Sequence, residues 1–157
     1  MKMFLVAIGK TDEKYIEEGI IKYISRIVHY TAFEMKVLPD VKNRRSLSFE
    51  QQKKTEREQI MALLQPGDEL IMLDEQGQQY NSRAFSVMLE KKINTGVRRL
   101  FFVIGGPYGF SAELYERAQG KVSLSSLTFS HQMVRLIFLE QLYRAFTIMK
   151  GEPYHHD

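Results

Sequence analysis

The sequence predicts an α/β domain, a mainly parallel sheet with helices on both faces. Two observations carry that prediction. Short apolar runs alternate with stretches of helical periodicity in five successive strand-helix steps, and glycine, proline or acidic turn residues separate them. Strand and helix repeated in this way put consecutive strands parallel, because each crossover helix returns the chain to the same end of the sheet. No linker, internal repeat or low-complexity stretch interrupts the pattern, so residues 1–157 read as one domain, large enough to build its core without staples.

Met3 to Ile8 is apolar almost without interruption, as in a strand covered on both faces. Thr11 is placed to cap a helix with Asp12 and Glu13 in its first turn, and Ile16, Ile20, Ile24 and Ile27 recur at helical spacing. Phe33, Met35 and Val37 alternate with Glu34 and Lys36, a strand with one wet face near a sheet edge, closed by Pro39. Ser48 and Gln51 have capping-box spacing ahead of a helix that runs to Leu64, where Pro66-Gly67 stops it. Leu70 to Leu73 is a third strand, and Asp74-Glu75-Gln76-Gly77 reads as the turn after it. Ser82 is placed to cap a helix with the stripe Phe85, Met88, Leu89 and Ile93, ended by Gly96. Leu100 to Ile104 is the fourth strand, Ser111 to Gln119 a short helix closed by Gly120, and Val122 to Leu124 the fifth strand.

The last helix, Ser130 to Lys150, is apolar over more than half its circumference, from Ile137 and Ile148 through Val134, Ala145, Phe138, Met149, Leu142 and Phe146 to Leu139. One sheet cannot bury so broad an arc. A second surface is required, either a neighbouring helix or another copy of the chain, and a twofold homodimer is the commonest form of the latter. Glu140 and Arg144 occupy the remaining arc at i,i+4 spacing in the favourable orientation. Beyond it, Gly151-Glu152-Pro153-Tyr154-His155-His156-Asp157 is a polar tail with two of the four histidines.

Composition removes several functions. The chain has no cysteine, which excludes disulfides, thiolate nucleophiles and Cys-type zinc sites, and which suits a reducing cytoplasm. Its longest apolar runs, Phe4 to Ile8 and Leu100 to Ile104, fall far short of the roughly 18 residues of a membrane span, so a soluble cytoplasmic protein is expected. The net charge of +3 permits a polyanionic partner without demanding one. Lys42, Arg44 and Arg45 are concentrated in one segment, as a phosphate-contact patch or as a solvated loop.

Ligands of open α/β sheets sit outside the carboxyl ends of strands, which selects three loops: after Leu73, at Gly105, and Ser125 to Phe129. Gly105-Gly106-Pro107-Tyr108-Gly109 has neither the dinucleotide GxGxxG spacing nor the Lys-Ser/Thr of a phosphate-binding P-loop. The hydroxyls of Ser125, Ser126, Thr128 and Ser130 lack a GxSxG elbow, and the histidines lack metal-ligand spacing, so no metal site is expected. Polar, weakly charged loops of this kind suit a nucleoside-like cofactor held by backbone groups and shape.

"LDEQG" at Leu73 to Gly77, "IGGPYG" at Ile104 to Gly109, "LSSLTFSHQMVRLIFLEQLYRAF" at Leu124 to Phe146 and "PYHH" at Pro153 to His156 occur in that order. In this combination the chain resembles the SPOUT methyltransferases, and among them the enzymes that methylate N3 of a pseudouridine in bacterial large-subunit rRNA. The resemblance covers the whole chain and is strongest after Leu70. It implies a trefoil knot in the carboxyl-terminal half, S-adenosylmethionine as methyl donor, and a homodimer. The implied substrate is a pseudouridine in the hairpin loop of helix 69 of 23S rRNA, on the assembled ribosome. The implied cofactor positions are Leu73, Gly105, Leu124, Ser125, Ser126, Leu127, Thr128 and Phe129. The implied catalytic set is His155, as acceptor of the N3 proton, with Tyr154, Arg144 and Glu140 around it. Where the family usually carries Arg or Lys after Tyr-His, this chain has His156. A non-catalytic ribosome-binding or assembly factor that keeps the same fold is the alternative reading.

Overall fold

A computed structural model describes all of residues 1–157. Five strands form one parallel sheet: β1 (Lys2–Ile8), β2 (Ala32–Leu38), β3 (Glu69–Gln79), β4 (Arg99–Ile104) and β5 (Gly120–Ser123), in the order β2-β1-β4-β3-β5. Between and after them run α1 (Lys14–Ile27), α2 (Phe49–Met61), α3 (Ser82–Asn94), α4 (Ala112–Arg117) and α5 (His131–Met149). Alternate residues of β1 and β4 face opposite layers. Leu5 and Phe102 pack with α1, α3 and α5, while Val6 and Phe101 pack with α2 and α4. Helices therefore cover both faces, and strands buried on both sides read as the unbroken apolar runs seen in the sequence.

Ser48 and Gln51 form the capping box of α2 as read. Ser111 and Ser130, read as the first residues of their helices, serve as the caps of α4 and α5, Ser130 by accepting the amide of Met133. β2 lies at the sheet edge.

Other expectations are corrected. α1 begins later than the Thr11 cap, with Glu13 at the N-cap and no side-chain bond there. Thr11 instead accepts a bond from Arg135, which takes its hydroxyl out of capping. Asn81, not Ser82, caps α3 through the amide of Ala84, leaving the Ser82 hydroxyl to donate to Gln141 on α5. α2 ends at Met61, short of Leu64.

The largest correction concerns Asp74-Glu75-Gln76-Gly77, which is no turn. β3 continues through it to Gln79, with an irregularity between Leu73 and Gln78 in its pairing with β5. Gly77 makes this possible. A Cβ there would stand 2.6 Å from the backbone nitrogen of Val122, so only glycine lets the bulged strand run this close to β5.

α5 meets its broad apolar requirement largely within the chain. It lies against the sheet and packs on both α1 and α3, burying Phe138, Leu139, Leu142, Ala145 and Phe146. The neighbouring helices thus take much of the surface for which a second copy was an alternative. Ile137, Glu140, Arg144 and Ile148 stay half-buried on the side facing away from the core.

Candidate functional site

Two of the loops selected from the sequence, at Gly105 and Ser125 to Phe129, together with the segment after Leu73, which is a continuation of β3 and no loop, close around a cleft of about 500 Å³. That is the size range of pockets for small organic cofactors. Leu73, Gly105, Leu124, Ser125, Leu127, Thr128 and Phe129 line it, together with Ile104, Val122 and Val134 on the apolar side. Ser126 does not. It is exposed, and its hydroxyl accepts from the Gln79 side chain, turned toward β3. Thr128 reaches across the cleft mouth to Glu75 at 3.4 Å, linking the last loop to the extended part of β3.

Residues missed in the sequence complete the walls. Asp74 follows the last core residue of β3 and accepts a hydrogen bond from the Tyr115 hydroxyl at 2.5 Å. Burial, reinforced by that carboxylate, pushes the Tyr115 phenol up to about 12, so it stays a donor at neutral pH. Asp74 and Glu75 both line the cleft and give it a negative rim, though the segment reads as a turn in the sequence. His131 lines it too, from the first turn of α5. Partial burial of the ring and the nearby Arg135 hold that imidazole below its ordinary value.

The glycine loop is shaped from beneath. Glu56 of α2 lies directly under Gly106, and a Cβ at Gly106 would come 2.1 Å from its Oε1. Glu56 is 5 % exposed, so it has no room to withdraw. Burial raises its carboxyl above the usual carboxylate range, against the opposing pull of Arg44 and the Gly106 backbone. Gly106 is therefore required by what lies under the loop.

Arg135 fixes α5 to the sheet. Only 1 % exposed, it donates from Nη2 to the Ile8 carbonyl at 2.9 Å and from Nη1 to the Gly9 carbonyl at 2.8 Å and the Thr11 hydroxyl at 3.1 Å. Nε bonds the His131 carbonyl at 3.2 Å. One guanidinium thus joins the end of β1, the approach to α1 and the cleft-bearing turn of α5. The visible signal was a basic residue in the middle of the apolar arc of α5.

Glu140, Arg144, Tyr154 and His155 are brought together, away from the cleft. The Arg144 guanidinium bonds Glu140 Oε1 from Nε at 3.1 Å and Nη2 at 2.5 Å, and the Tyr154 hydroxyl donates to the same oxygen at 3.0 Å. Arg144 Nη1 lies 3.3 Å from His155 Nδ1. A guanidinium can only donate, so Nδ1 accepts and the ring proton sits on Nε2, facing Asp157 Oδ1 at 3.3 Å. Asp157 is itself gripped by Arg83 through two bonds, and the Tyr30 hydroxyl donates to Glu152. The polar tail is thus packed on its own chain, with His156 exposed beside it. None of residues 140–157 lines the cleft. From Val134, in the cleft, to Arg144 is about 15 Å along the helix axis.

A parallel sheet whose strand-end loops form a nucleoside-sized cleft with a carboxylate rim defines an α/β protein built to hold a small organic cofactor at its switch point. The family model described as "Predicted SPOUT methyltransferase" matches residues 1–155. The chain belongs to that family. It is 56 % identical over 157 residues, all of both chains, to the "Ribosomal RNA large subunit methyltransferase H" of Parabacteroides distasonis. Proteins of the same name from Christiangramia forsetii and Porphyromonas gingivalis are 55 % identical over 156 residues, 99 % of each chain, and 52 % identical over the full length of both. The solved structure of the SpoU methyltransferase AviRb from Streptomyces viridochromogenes shares 12 % identity, with a TM-score of 0.44 over 96 % of this chain and 61 % of that one, too distant to inform the site.

Proposed function

We propose that the protein transfers a methyl group from S-adenosylmethionine to N3 of a pseudouridine in the helix 69 loop of 23S rRNA, on assembled ribosomes in the cytoplasm. The observation that carries this reading is the cleft itself, in a chain more than half identical to relatives named as rRNA large subunit methyltransferases. The donor set suits the cofactor. Apolar Leu73, Ile104, Leu124 and Val134 would offer a surface for the adenine, and the carboxylates of Asp74 and Glu75 would offset the positive charge of the sulfonium and the ammonium. The trefoil knot belongs to the same proposal, supported by the way segment 124–129 shares one cleft with residues 73–76 of β3 and the loop after β4.

When bound, the cofactor supplies an electrophilic methyl on sulfur. The chain's own task is to align it with N3, exclude water and remove the N3 proton as the N–C bond forms and the S–C bond breaks. A base in a hairpin loop is reachable without opening a duplex. His155 takes the proton at Nδ1, the ring nitrogen with a lone pair, when Arg144 turns fully onto Glu140. The carboxylate of Asp157 at Nε2 then stabilises the imidazolium.

Because the tail cluster and the cleft are separated along α5 of one chain, the tail serves the cleft of a second copy in a homodimer. The half-buried outer face of α5, with Ile137 and Ile148 beside Glu140 and Arg144, supports that pairing.

Two measurements test the proposal. Ribosomes from cells lacking the gene, incubated with protein and S-adenosylmethionine, gain one methyl on the helix 69 pseudouridine by mass spectrometry; ribosomes that bind protein yet gain none identify an assembly factor instead. Chains lacking Tyr154 to Asp157 retain cofactor binding and lose transfer. Mixed with Gly105→Trp chains, they recover about a quarter of the wild-type rate, since half the dimers are mixed and each has one complete site. An inactive mixture places the tail in its own chain's site.

A further inference from the structure

Phe49 and Tyr108 are left unexplained by the cofactor cleft and by the tail. Phe49 is the first residue of α2, and Tyr108 sits in the loop after β4 on the wall of the cleft. Their rings stack with centroids 3.8 Å apart and planes 23° from parallel. Even so, Phe49 remains 57 % exposed and Tyr108 40 % exposed. A single exposed ring needs no explanation. Two rings stacked on each other at the lip of a catalytic cleft, with outer faces in water, form a flat π surface of fixed orientation.

The charges around it select the occupant. Arg45 lies one helical turn before Phe49 in sequence, in the 3-10 turn Arg44–Ser46, and Lys53 lies one turn after it on the same face of α2. Lys42 and Arg45 are exposed and enter no ion pair, whereas Arg44 is bound to Asp40 at 2.6 Å. Lys53 has only the exposed Glu50 at 3.6 Å. Aromatic faces beside cations are the chemistry that suits single-stranded RNA, whose bases stack while its phosphates meet the cations.

We propose that the Phe49–Tyr108 pair is a stacking platform for an unpaired nucleobase adjacent to the one being methylated, with Lys42, Arg45 and Lys53 along the phosphates on either side. This subsite rests on the reading of the cleft as the place of methyl transfer to RNA. It fixes the register of the loop over the cleft, because a neighbour stacked on Tyr108 leaves its flanking base over the bound cofactor.

The chain contains no tryptophan, so Phe49→Trp introduces a single indole at the platform. Its fluorescence is followed during titration with an oligoadenylate dodecamer, an oligouridylate dodecamer and an abasic sugar-phosphate chain of the same length. Quenching by the adenylate, less by the uridylate and none by the abasic chain is expected. In parallel, Phe49→Ala and Tyr108→Ala each raise the KM for ribosomes about tenfold; Phe49→Ala, whose ring does not line the cleft, keeps S-adenosylmethionine affinity within about twofold of wild type by calorimetry, and Phe49→Tyr restores the KM. Equal quenching by all three chains, or none by any, overturns the platform. So does a loss of cofactor affinity as large as the rise in KM, which makes the pair a clamp on the glycine loop. An unchanged KM with both rings removed shows that the patch meets no part of the substrate and also overturns it. Failure of the methyl-transfer reading is seen separately, as wild-type protein that modifies no ribosome, and the quenching series stands or falls without it.

Discussion

Replacing Arg135 by Met tests the junction that sets the cleft-bearing end of α5. Methionine preserves most of the buried length and volume, so packing changes little. What disappears is the donor set to the carbonyls of Ile8 and Gly9, to the Thr11 hydroxyl and to the His131 carbonyl. Each backbone acceptor left without a partner in a buried place costs about 1–3 kcal/mol. Against this stands relief of the desolvation borne by a guanidinium that is 1 % exposed and has no carboxylate within ion-pair distance, a penalty of several kcal/mol in such sites. The balance is a net loss of about 2 kcal/mol. For a chain of this length that lowers the melting temperature by about 4–8 °C. Urea unfolding followed by circular dichroism reads the loss as a lower midpoint at unchanged slope. Because Arg135 also holds the turn carrying His131, S-adenosylmethionine affinity falls with it. A Met variant as stable as wild type refutes the reasoning, since the β1 carbonyls would then have other donors.

Three other perturbations follow from the same geometry. Burial raises the Glu56 carboxyl, so its contribution to stability is fully present below the unfolded-state value and is lost as pH rises through the folded-state value. Glu56→Gln should accordingly gain on wild type in thermal melts as pH rises from the ordinary carboxylate range, about pH 4, toward neutrality, and parallel curves would rule the effect out. Gly106→Ala forces a methyl against Glu56 and should cost about 1–3 kcal/mol and weaken cofactor binding; the double variant with Glu56→Ala recovers part of both, and purely additive losses would place the strain elsewhere. Lys42→Ala with Arg45→Ala should flatten the dependence of ribosome binding on the logarithm of salt concentration by about two contacts' worth, while Arg44→Ala changes it less, because Asp40 already neutralises that guanidinium.

Sequence periodicity was sufficient for the layered α/β class because a strand buried on both faces has no choice but to be apolar throughout, as Leu100 to Ile104 is. The Ser48–Gln51 capping box was legible because capping is local, a side chain satisfying an amide three residues away. The same local logic failed at Thr11, whose hydroxyl is taken by Arg135 from 124 residues away, and at Ser82, which is turned to Gln141. It failed again at Asp74 to Gly77, where turn-forming residues lie inside a strand that passes tightly against β5.

The site divides along the same line. Leu73, Gly105 and Leu124 to Phe129 were identifiable in advance because strand ends are where loops of a parallel sheet converge, and because their motifs occur in a family order. Tyr115 on Asp74, Glu56 beneath Gly106 and Arg135 across the end of β1 were not, since each joins segments distant in the chain. The sequence alone determined which loops are available to a ligand, for hydrophobic patterning and capping act over a few residues. Only the tertiary structure decided which side chains close those loops into a cleft, and that the tail cluster stands a helix's length away from it, because both depend on contacts whose partners the chain brings together only once the sheet has formed.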